Sequence, residues 1–178
     1  MGHRAWSVEA RYMAAVKACG DGAVLSGLAA AHLLGLLKGP APPPEVTAPG
    51  LRRVKGVKTR RSRQIEATEW KGIPVTTAPR TLVDIAGDIA EDELATACHQ
   101  AGVRFRTTPR RVEAVLEKRP KARGAAKLRR IIRGDSPIIL SKLEKRFLKL
   151  LREAGLTLPQ TNRPKDGHTS TAAGRSTS

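Results

Sequence analysis

The chain of 178 residues has few aromatic residues and few cysteines. Only 3% of it is aromatic, so a hydrophobic core has to be built mostly from Leu, Val, Ile and Ala. The two cysteines, Cys19 and Cys98, lie far apart and lack the His and Cys neighbours of a zinc site, which favours a reduced, cytoplasmic protein. No apolar run approaches the roughly 20 residues that span a bilayer, and no signal peptide follows Met1. We therefore expect no membrane partner.

Acidic residues are also scarce, because 16 of them face 33 basic residues and leave a net charge of +17. A compact chain with such an excess repels itself, so a polyanionic partner is expected. Nucleic acid is the first candidate, since each Lys or Arg placed on a phosphate releases condensed counterions. The alternative is the arginine-rich composition of a GC-rich genome, in which the charge only solvates the surface.

The charges are segregated along the chain. The stretch Leu51–Arg63 has seven basic residues and no acidic one, and Arg104–Arg133 has twelve basic residues against two acidic ones. The stretch Leu82–Val103 has five acidic residues and neither Lys nor Arg. Segregation of this kind favours a binding face over uniform solvation.

Apolar spacing and capping residues predict a series of helices. Ser7 and Gly20 bound the first, and a second follows Ser26 and continues to Gly39. Thr77, with Pro79 in the first turn, begins a third. The remaining predicted helices are Glu91–Ala101, Thr108–Lys118, Gly124–Arg133 and Ser141–Ala154.

Between the second and third helices, short segments rich in Val, Ile and Thr predict strands. They are Glu45–Ala48, Val57–Ser62, Ile65–Trp70 and Ile73–Thr76. Their spacing suggests a small antiparallel sheet or meander, with Lys58 and Arg60 on one face of the second strand. The expected fold is α+β: two N-terminal helices, a small antiparallel β-sheet, then a helical cluster. Residues Gly167–Ser178 lack the apolar residues to fold and are expected to form a disordered tail.

The first basic stretch is the best candidate for binding nucleic acid, because Arg presents planar, bidentate donors to phosphate. Its near lack of aromatic residues argues against base stacking with single strands. A second basic cluster contributes two further candidate residues, although solvation of a helical surface explains that cluster equally well. The predicted nucleic-acid-binding residues are Arg52, Arg53, Lys55, Lys58, Arg60, Arg61, Arg63, Arg129 and Arg130. The rest of the second cluster is Arg119, Lys121, Arg123 and Lys127.

Catalytic and metal-binding patterns are missing. The four histidines have no ligand spacing, and no phosphate-binding glycine loop is present. Ser26 and Ser141 are interpreted as helix caps rather than nucleophiles. Asp84 lies four residues after Arg80, a spacing that supports a helix pair worth only tenths of a kcal/mol. We expect no enzyme activity, no cofactor, no metal and no small-molecule ligand.

Three segments resemble actinobacterial proteins of the AbiEi type, the antitoxin halves of type IV toxin–antitoxin pairs. They are residues 2–20, residues 22–35, and the segment Gly72–Ala86 with the sequence GIPVTTAPRTLVDIA. Further along, Leu140–Leu156 resembles the first helix of an appended domain similar to very-short-patch-repair endonucleases. The resemblance covers about residues 2–166 and implies a DNA-associated transcriptional regulator of bacterial defence.

The chain departs from that family at both ends. We expect this chain to lack the winged helix-turn-helix that usually precedes the position of Gly2, and to lack the acidic residues that hold a metal in the nuclease-like domain. Glu144 would correspond to the helix carboxylate near that metal, but it also completes a capping box with Ser141. Residues 1–134 are thus expected to be the antitoxin-like domain, residues 138–166 a truncated nuclease-like segment, and residues 167–178 the tail.

Residues Thr169–Ser178 can be encoded by codons that, read in a second frame, give a different peptide. That peptide is similar to the sequence of the nuclease-like family at this point. We therefore expect the tail to be the out-of-frame product of a frameshift and Met1 to be an internal start. The expected function is electrostatic binding of DNA without catalysis, in a defence or toxin–antitoxin context. Two alternatives stay open: an inactive remnant of a metal-dependent endonuclease, and a module whose acidic segment binds a toxin protein.

Overall fold

The computed structural model describes residues 7–135. Six helices lie in this part of the chain: α1 (Val8–Ala18), α2 (Gly27–Leu33), α3 (Ala78–Ile85), α4 (Glu91–Phe105), α5 (Pro109–Glu117) and α6 (Ala125–Arg133). Five strands accompany them: β1 (Val24–Leu25), β2 (Glu45–Ala48), β3 (Lys58–Arg61), β4 (Ala67–Trp70) and β5 (Ile73–Thr76). The predicted α+β class is confirmed, with two helices before most of the strands and a helical cluster after them.

The five strands form one mixed sheet in the order β3-β2-β1-β5-β4. The pairs β1–β2 and β4–β5 are antiparallel, whereas β2–β3 and β1–β5 are parallel. The prediction of an antiparallel sheet is therefore wrong. Parallel neighbours usually need a crossover of a dozen or more residues, and only residues 49–57 connect β2 to β3, so the short spacing favoured the wrong pairing.

Strand β1, at the centre of the sheet, is missing from the sequence prediction. Its residues Val24 and Leu25 are both buried. Two residues are too few to show the alternation that marks a strand. Leu25 pairs with Val46 on one side and with Val75 on the other, so only distant partners define this strand.

Capping residues predicted several helix starts correctly. Ser7 accepts a hydrogen bond from the backbone N–H of Ala10 at 3.1 Å, and α1 follows it. Thr108 does the same for the N–H of Arg111 at 3.4 Å, at the start of α5. Helix α3 begins one residue after the predicted Thr77, and α6 begins and ends within about a residue of its predicted bounds.

Two helix ends differ from prediction. Helix α2 ends at Leu33, before the predicted Gly39. At the start of the same helix, the hydroxyl of the N-cap residue Ser26 accepts a hydrogen bond from the Thr47 hydroxyl at 2.9 Å. Helix α4 continues past Ala101 to Phe105, because the left-handed residue that ends it is Arg106, with φ of 50°.

The core is aliphatic, as the composition predicted. Helix α3 packs against α2, α4, α5 and α6, and Leu82 and Ile85 on it are fully buried. Leu25, Val46 and Val75 contribute the buried side chains of the central strands. Each such side chain stabilises the fold by about 1.5–3 kcal/mol when it leaves water.

The segment that carries the family resemblance forms β5, a tight junction and α3. The Thr81 hydroxyl lies 2.8 Å from the Thr76 hydroxyl and donates to the carbonyl of Thr77 at 3.0 Å. Pro79 occupies the first turn of α3, where its missing N–H costs nothing. These contacts fix the direction in which α3 leaves the sheet.

Arg80 is buried within this junction, with 2% of its side chain exposed. It pairs with Glu66 at 2.6 Å and with Asp84 at 2.9 Å, and it donates to the carbonyl of Gln64 at 3.1 Å. The predicted pair of Arg80 and Asp84 is thus formed inside the protein, and the small energy of a surface helix pair does not apply to it.

The predictions for residues 136–178 lie outside the described residues. They concern the helix Ser141–Ala154, the capping box of Ser141 and Glu144, the truncated nuclease-like segment and the disordered tail. Within residues 7–135, no helix is long and apolar enough to cross a membrane.

Candidate nucleic-acid interface

Strand β3 lies at one edge of the sheet and carries the centre of the first basic stretch. One edge of β3 is hydrogen-bonded to β2. The N–H of Lys58 donates to the carbonyl of Pro44 at 2.9 Å, and the N–H of Ser62 donates to the carbonyl of Ala48 at 3.0 Å. In a parallel strand the alternate N–H groups, those of Thr59 and Arg61, then face away from β2. The outer edge of β3 pairs with no other strand of residues 7–135.

Lys58 and Arg60 lie on the same face of β3, as predicted, and both approach Glu45. Lys58 Nζ lies 3.3 Å from Glu45 Oε2, and Arg60 Nη2 lies 2.6 Å from Oε1. The Glu45 side chain is only 4% exposed, so it needs positive charge beside it. These two cations therefore already neutralise a buried carboxylate when no ligand is bound.

Arg52 has a structural role. Its Nε donates to the carbonyl of Cys19 at 2.7 Å, at the end of α1, where a cation favours the helix dipole. The Arg52 carbonyl accepts a hydrogen bond from the Thr59 hydroxyl at 2.6 Å. Arg52 thus fastens the connection between β2 and β3 to α1.

Arg129 and Arg130 connect helices. Arg129 Nε lies 2.8 Å from Glu113 on α5, and Arg130 Nη2 lies 3.1 Å from Glu91 at the start of α4. Both were predicted to bind nucleic acid, and their side chains instead contact carboxylates of the same chain. Nothing in the local sequence identifies those partners, which lie 16 and 39 residues away.

Four of the nine predicted residues are exposed and form no ion pair or side-chain hydrogen bond with the described part of the chain. They lie in the connection before β3, at its last residue, and just after it. They are Arg53, Lys55, Arg61 and Arg63. Of the nine predicted residues, these are the ones that a polyanion can reach without breaking a contact within residues 7–135.

The fold brings the second basic cluster to the end of β3. Arg119 Nη2 donates to the Ser62 hydroxyl at 2.8 Å and approaches the carbonyl of Gln64 at 3.3 Å. Asp88 lies between Arg60 and Arg123, at 3.5 and 3.4 Å. Two basic stretches that are separated by the acidic segment in the sequence therefore adjoin in space.

Arg119 is the partly buried anchor of this arrangement. Burial lowers its pKa below the ordinary value for arginine, and the nearby charge of Arg80 lowers it further, while Asp84 and Glu66 oppose the shift. An arginine keeps its charge under all ordinary conditions despite such a shift. Arg119 therefore carries its positive charge while it holds the segment after β3 in place.

We name this region the β3 basic surface. It consists of Arg53, Lys55, Lys58, Arg60, Arg61, Arg63, Arg119 and Arg123. Glu45 and Asp88 form ion pairs with three of these eight cations, Lys58, Arg60 and Arg123. A surplus of positive charge on one edge of a sheet can bind successive phosphates of a nucleic-acid backbone.

No aromatic side chain of residues 7–135 contributes to this surface. Trp70 packs edge-to-face on Phe105, with ring centroids 5.2 Å apart. Tyr12 is buried and donates to the carbonyl of Pro42 at 3.0 Å. Within the described part of the chain, the surface therefore offers cations for phosphates and no ring on which an unpaired base can stack.

No group of three or more His, Cys, Asp and Glu residues suited to a metal ion occurs within residues 7–135. Glu144, the candidate remnant of a nuclease site, lies outside that range. Comparison of the chain with protein-family models, with curated proteins and with solved structures finds no match. The resemblance to AbiEi-type antitoxins and to repair endonucleases stays a prediction from the sequence.

Proposed function

We propose that this protein binds duplex nucleic acid, DNA in the first place, through the β3 basic surface and without catalysis. The observation that supports this most is the meeting of two basic stretches at the end of β3, through Arg119 on Ser62 and through the shared Asp88. The four cations without partners in the described chain supply the charge that phosphates would neutralise.

Contacts of this kind position a protein on nucleic acid without reading its sequence. Lys and Arg on phosphates give affinity that depends strongly on salt, whereas base recognition needs side chains in a groove. The β3 basic surface lies on a strand edge and its flanking loops, so backbone contact is the interaction it suits best. Duplex is favoured over single strands because no aromatic ring of residues 7–135 accompanies the cations.

The biological role that we attach to this binding is that of an antitoxin-like regulator in bacterial defence, acting in the cytoplasm. This part of the proposal comes from the resemblance of segments 2–20, 22–35 and 72–86 to AbiEi-type antitoxins. The junction of β5 and α3 gives segment 72–86 a structural role, with buried contacts at Arg80 and Thr81.

A toxin-binding role for the acidic segment has less support. Three of its five carboxylates pair with cations of the same chain: Asp84 with Arg80, Asp88 with Arg60 and Arg123, and Glu91 with Arg130. Only Asp92 and Glu93 are left exposed without a described ion pair. Most of the negative charge in this segment is therefore used within the fold.

A pair of matched variants tests the proposal. The first replaces the four cations without partners by Gln, at Arg53, Lys55, Arg61 and Arg63. The control replaces four other exposed cations without described ion pairs by Gln, at Lys17, Lys38, Arg110 and Arg111. Both lose four positive charges, so only their location differs. We expect the first variant to bind a fluorescent duplex at least about ten-fold more weakly than the control.

Equal losses in the two variants would contradict the proposal, because net charge alone would then explain the binding. Unchanged thermal unfolding of both proteins is the check that they fold. Cleavage of the duplex by the wild-type protein with added magnesium or manganese would contradict the absence of catalysis. Binding of a single strand more tightly than the duplex would contradict the assignment to duplex.

A further inference from the structure

Asp88 forms ion pairs with two arginines from different parts of the fold. It lies in the loop between α3 and α4, where Arg60 Nη2 approaches Oδ2 at 3.5 Å and Arg123 Nη1 approaches Oδ1 at 3.4 Å. Charge-assisted hydrogen bonds are shorter, about 2.7–2.9 Å. The Asp88 side chain is 23% exposed and that of Arg123 is 82% exposed. The carboxylate is thus held loosely and in contact with water.

The two arginines are nevertheless held at defined places in the fold. Arg60 lies on β3 and forms an ion pair with the buried Glu45, with 2.6 Å between Nη2 and Oε1. The backbone of Arg123 is fixed, because the loop before α6 lies directly against the loop after α3. A Cβ atom on Gly87 would collide with Arg123, and one on Gly124 would collide with the carbonyl of Ala86. The position of the Arg123 backbone is therefore set by the packing of these two loops.

We propose that Arg60 and Arg123 form a phosphate-binding site that the Asp88 carboxylate occupies in the free protein. A backbone phosphate of a duplex would displace Asp88 into water and take over both guanidinium groups. Asp88 therefore lowers the affinity of the β3 basic surface for nucleic acid. This inference rests on the proposed function and identifies Asp88 as a residue that reduces the affinity for nucleic acid.

The chemistry of the exchange favours phosphate. Both groups present anionic oxygens to guanidinium N–H donors, and guanidinium matches phosphate as well as carboxylate in bidentate geometry. The displaced carboxylate is already partly hydrated, so releasing it leaves no buried charge. Glu45 is different, since its side chain is buried and its release would leave an uncompensated charge.

The test compares two substitutions that change net charge equally. Asp88→Asn removes the carboxylate between the arginines. Asp92→Asn removes an exposed carboxylate four residues away that has no described ion pair. Binding of a fluorescent duplex is titrated at several salt concentrations for the wild-type protein and both variants. Thermal unfolding of each variant verifies folding.

We expect Asp88→Asn to bind the duplex several-fold more tightly than the wild-type protein. The slope of log affinity against log salt should stay the same, because the wild-type protein makes the same phosphate contact once Asp88 is displaced. Asp92→Asn should change the affinity less than two-fold and leave the slope unchanged. Arg123→Gln should weaken binding more than Arg110→Gln, and because Arg123 is exposed this comparison holds even if Asp88→Asn fails to fold.

Equal effects of Asp88→Asn and Asp92→Asn, or weaker binding by Asp88→Asn, would overturn the inference. If the wild-type protein still binds the duplex in that case, the proposed function stands and only the role of Asp88 is rejected. If none of the proteins binds the duplex at low salt, both the inference and the proposed function are rejected.

Discussion

Arg80 shows what a single residue decides in this fold. Its guanidinium group lies inside the protein among Glu66, Asp84 and the carbonyl of Gln64. Removing one member of such a buried set typically costs about 3–5 kcal/mol, because the remaining charge has no compensation. The sequence shows that Arg80 and Asp84 are one helical turn apart, but it does not show that both side chains are largely buried.

Glu66 makes the stability of the protein depend on pH. Burial alone would raise its pKa, but hydrogen bonds from Arg80 and the backbone and the charges of Arg80 and Arg119 outweigh it, so the pKa lies below the usual 4.5. The unfolded state therefore takes up the proton first on acidification. We expect the urea midpoint to be constant above about pH 5 and to fall as the pH drops through the lowered pKa.

The control for this prediction is Glu66→Gln, which removes the titrating group. Its urea midpoint should be lower than that of the wild-type protein at pH 7. It should also decline less between pH 5 and pH 3, since part of the wild-type decline belongs to Glu66. Parallel curves for the two proteins would contradict the contribution assigned to Glu66.

At the same scale, the sequence identified basic residues without identifying their partners. It placed Lys58 and Arg60 on one face correctly, because strand alternation is a local property. It also grouped Arg52 and Arg129 with the binding residues, although one caps α1 and the other pairs with Glu113. Charge is visible in a sequence, while a contact across the fold is not.

At the scale of elements, local signals predicted what is locally determined. The bounds of β2 and β5 agree with prediction to the residue, and the caps predicted α1, α3, α5 and α6 closely. The antiparallel pair of β4 and β5 agrees with the prediction, but the parallel pair of β1 and β5 was missed, because these strands are nearly fifty residues apart and no local pattern links them. The two-residue strand β1 was missed for the same reason.

Gly124 provides a prediction about how elements are joined. It has φ of +75° at the start of α6, and an added Cβ would collide with the backbone of Ala86 and Gly87. We expect Gly124→Ala to destabilise the protein by at least about 2 kcal/mol, from left-handed strain and steric clash together. Urea unfolding followed by circular dichroism measures this change.

Gly134 is the matched control for Gly124. It has a similar φ of +80° at the other end of α6, but no atom of the described residues lies within 4 Å of a Cβ added there. Gly134→Ala should therefore cost only the strain of a left-handed residue, about 1–2 kcal/mol. Equal destabilisation by the two substitutions would show that the packing of the two loops contributes nothing.

At the scale of the whole molecule, the fold joins the parts of the sequence that carry the most charge. The acidic segment between the two basic stretches does not separate them in space. Instead, Asp88 bridges Arg60 and Arg123, and Arg119 reaches the segment after β3. The sequence predicted two candidate regions, and their convergence on one edge of the sheet required the structure.

The central claim is that this edge binds duplex nucleic acid through its phosphates. Titration of a fluorescent duplex across a series of salt concentrations tests it most directly. If the four cations without partners each neutralise one phosphate, the slope of log affinity against log salt should be about −4. That slope corresponds to a roughly 250-fold loss of affinity between about 50 and 200 mM salt. No complex at the lowest salt, or an affinity that salt leaves unchanged, would contradict the claim.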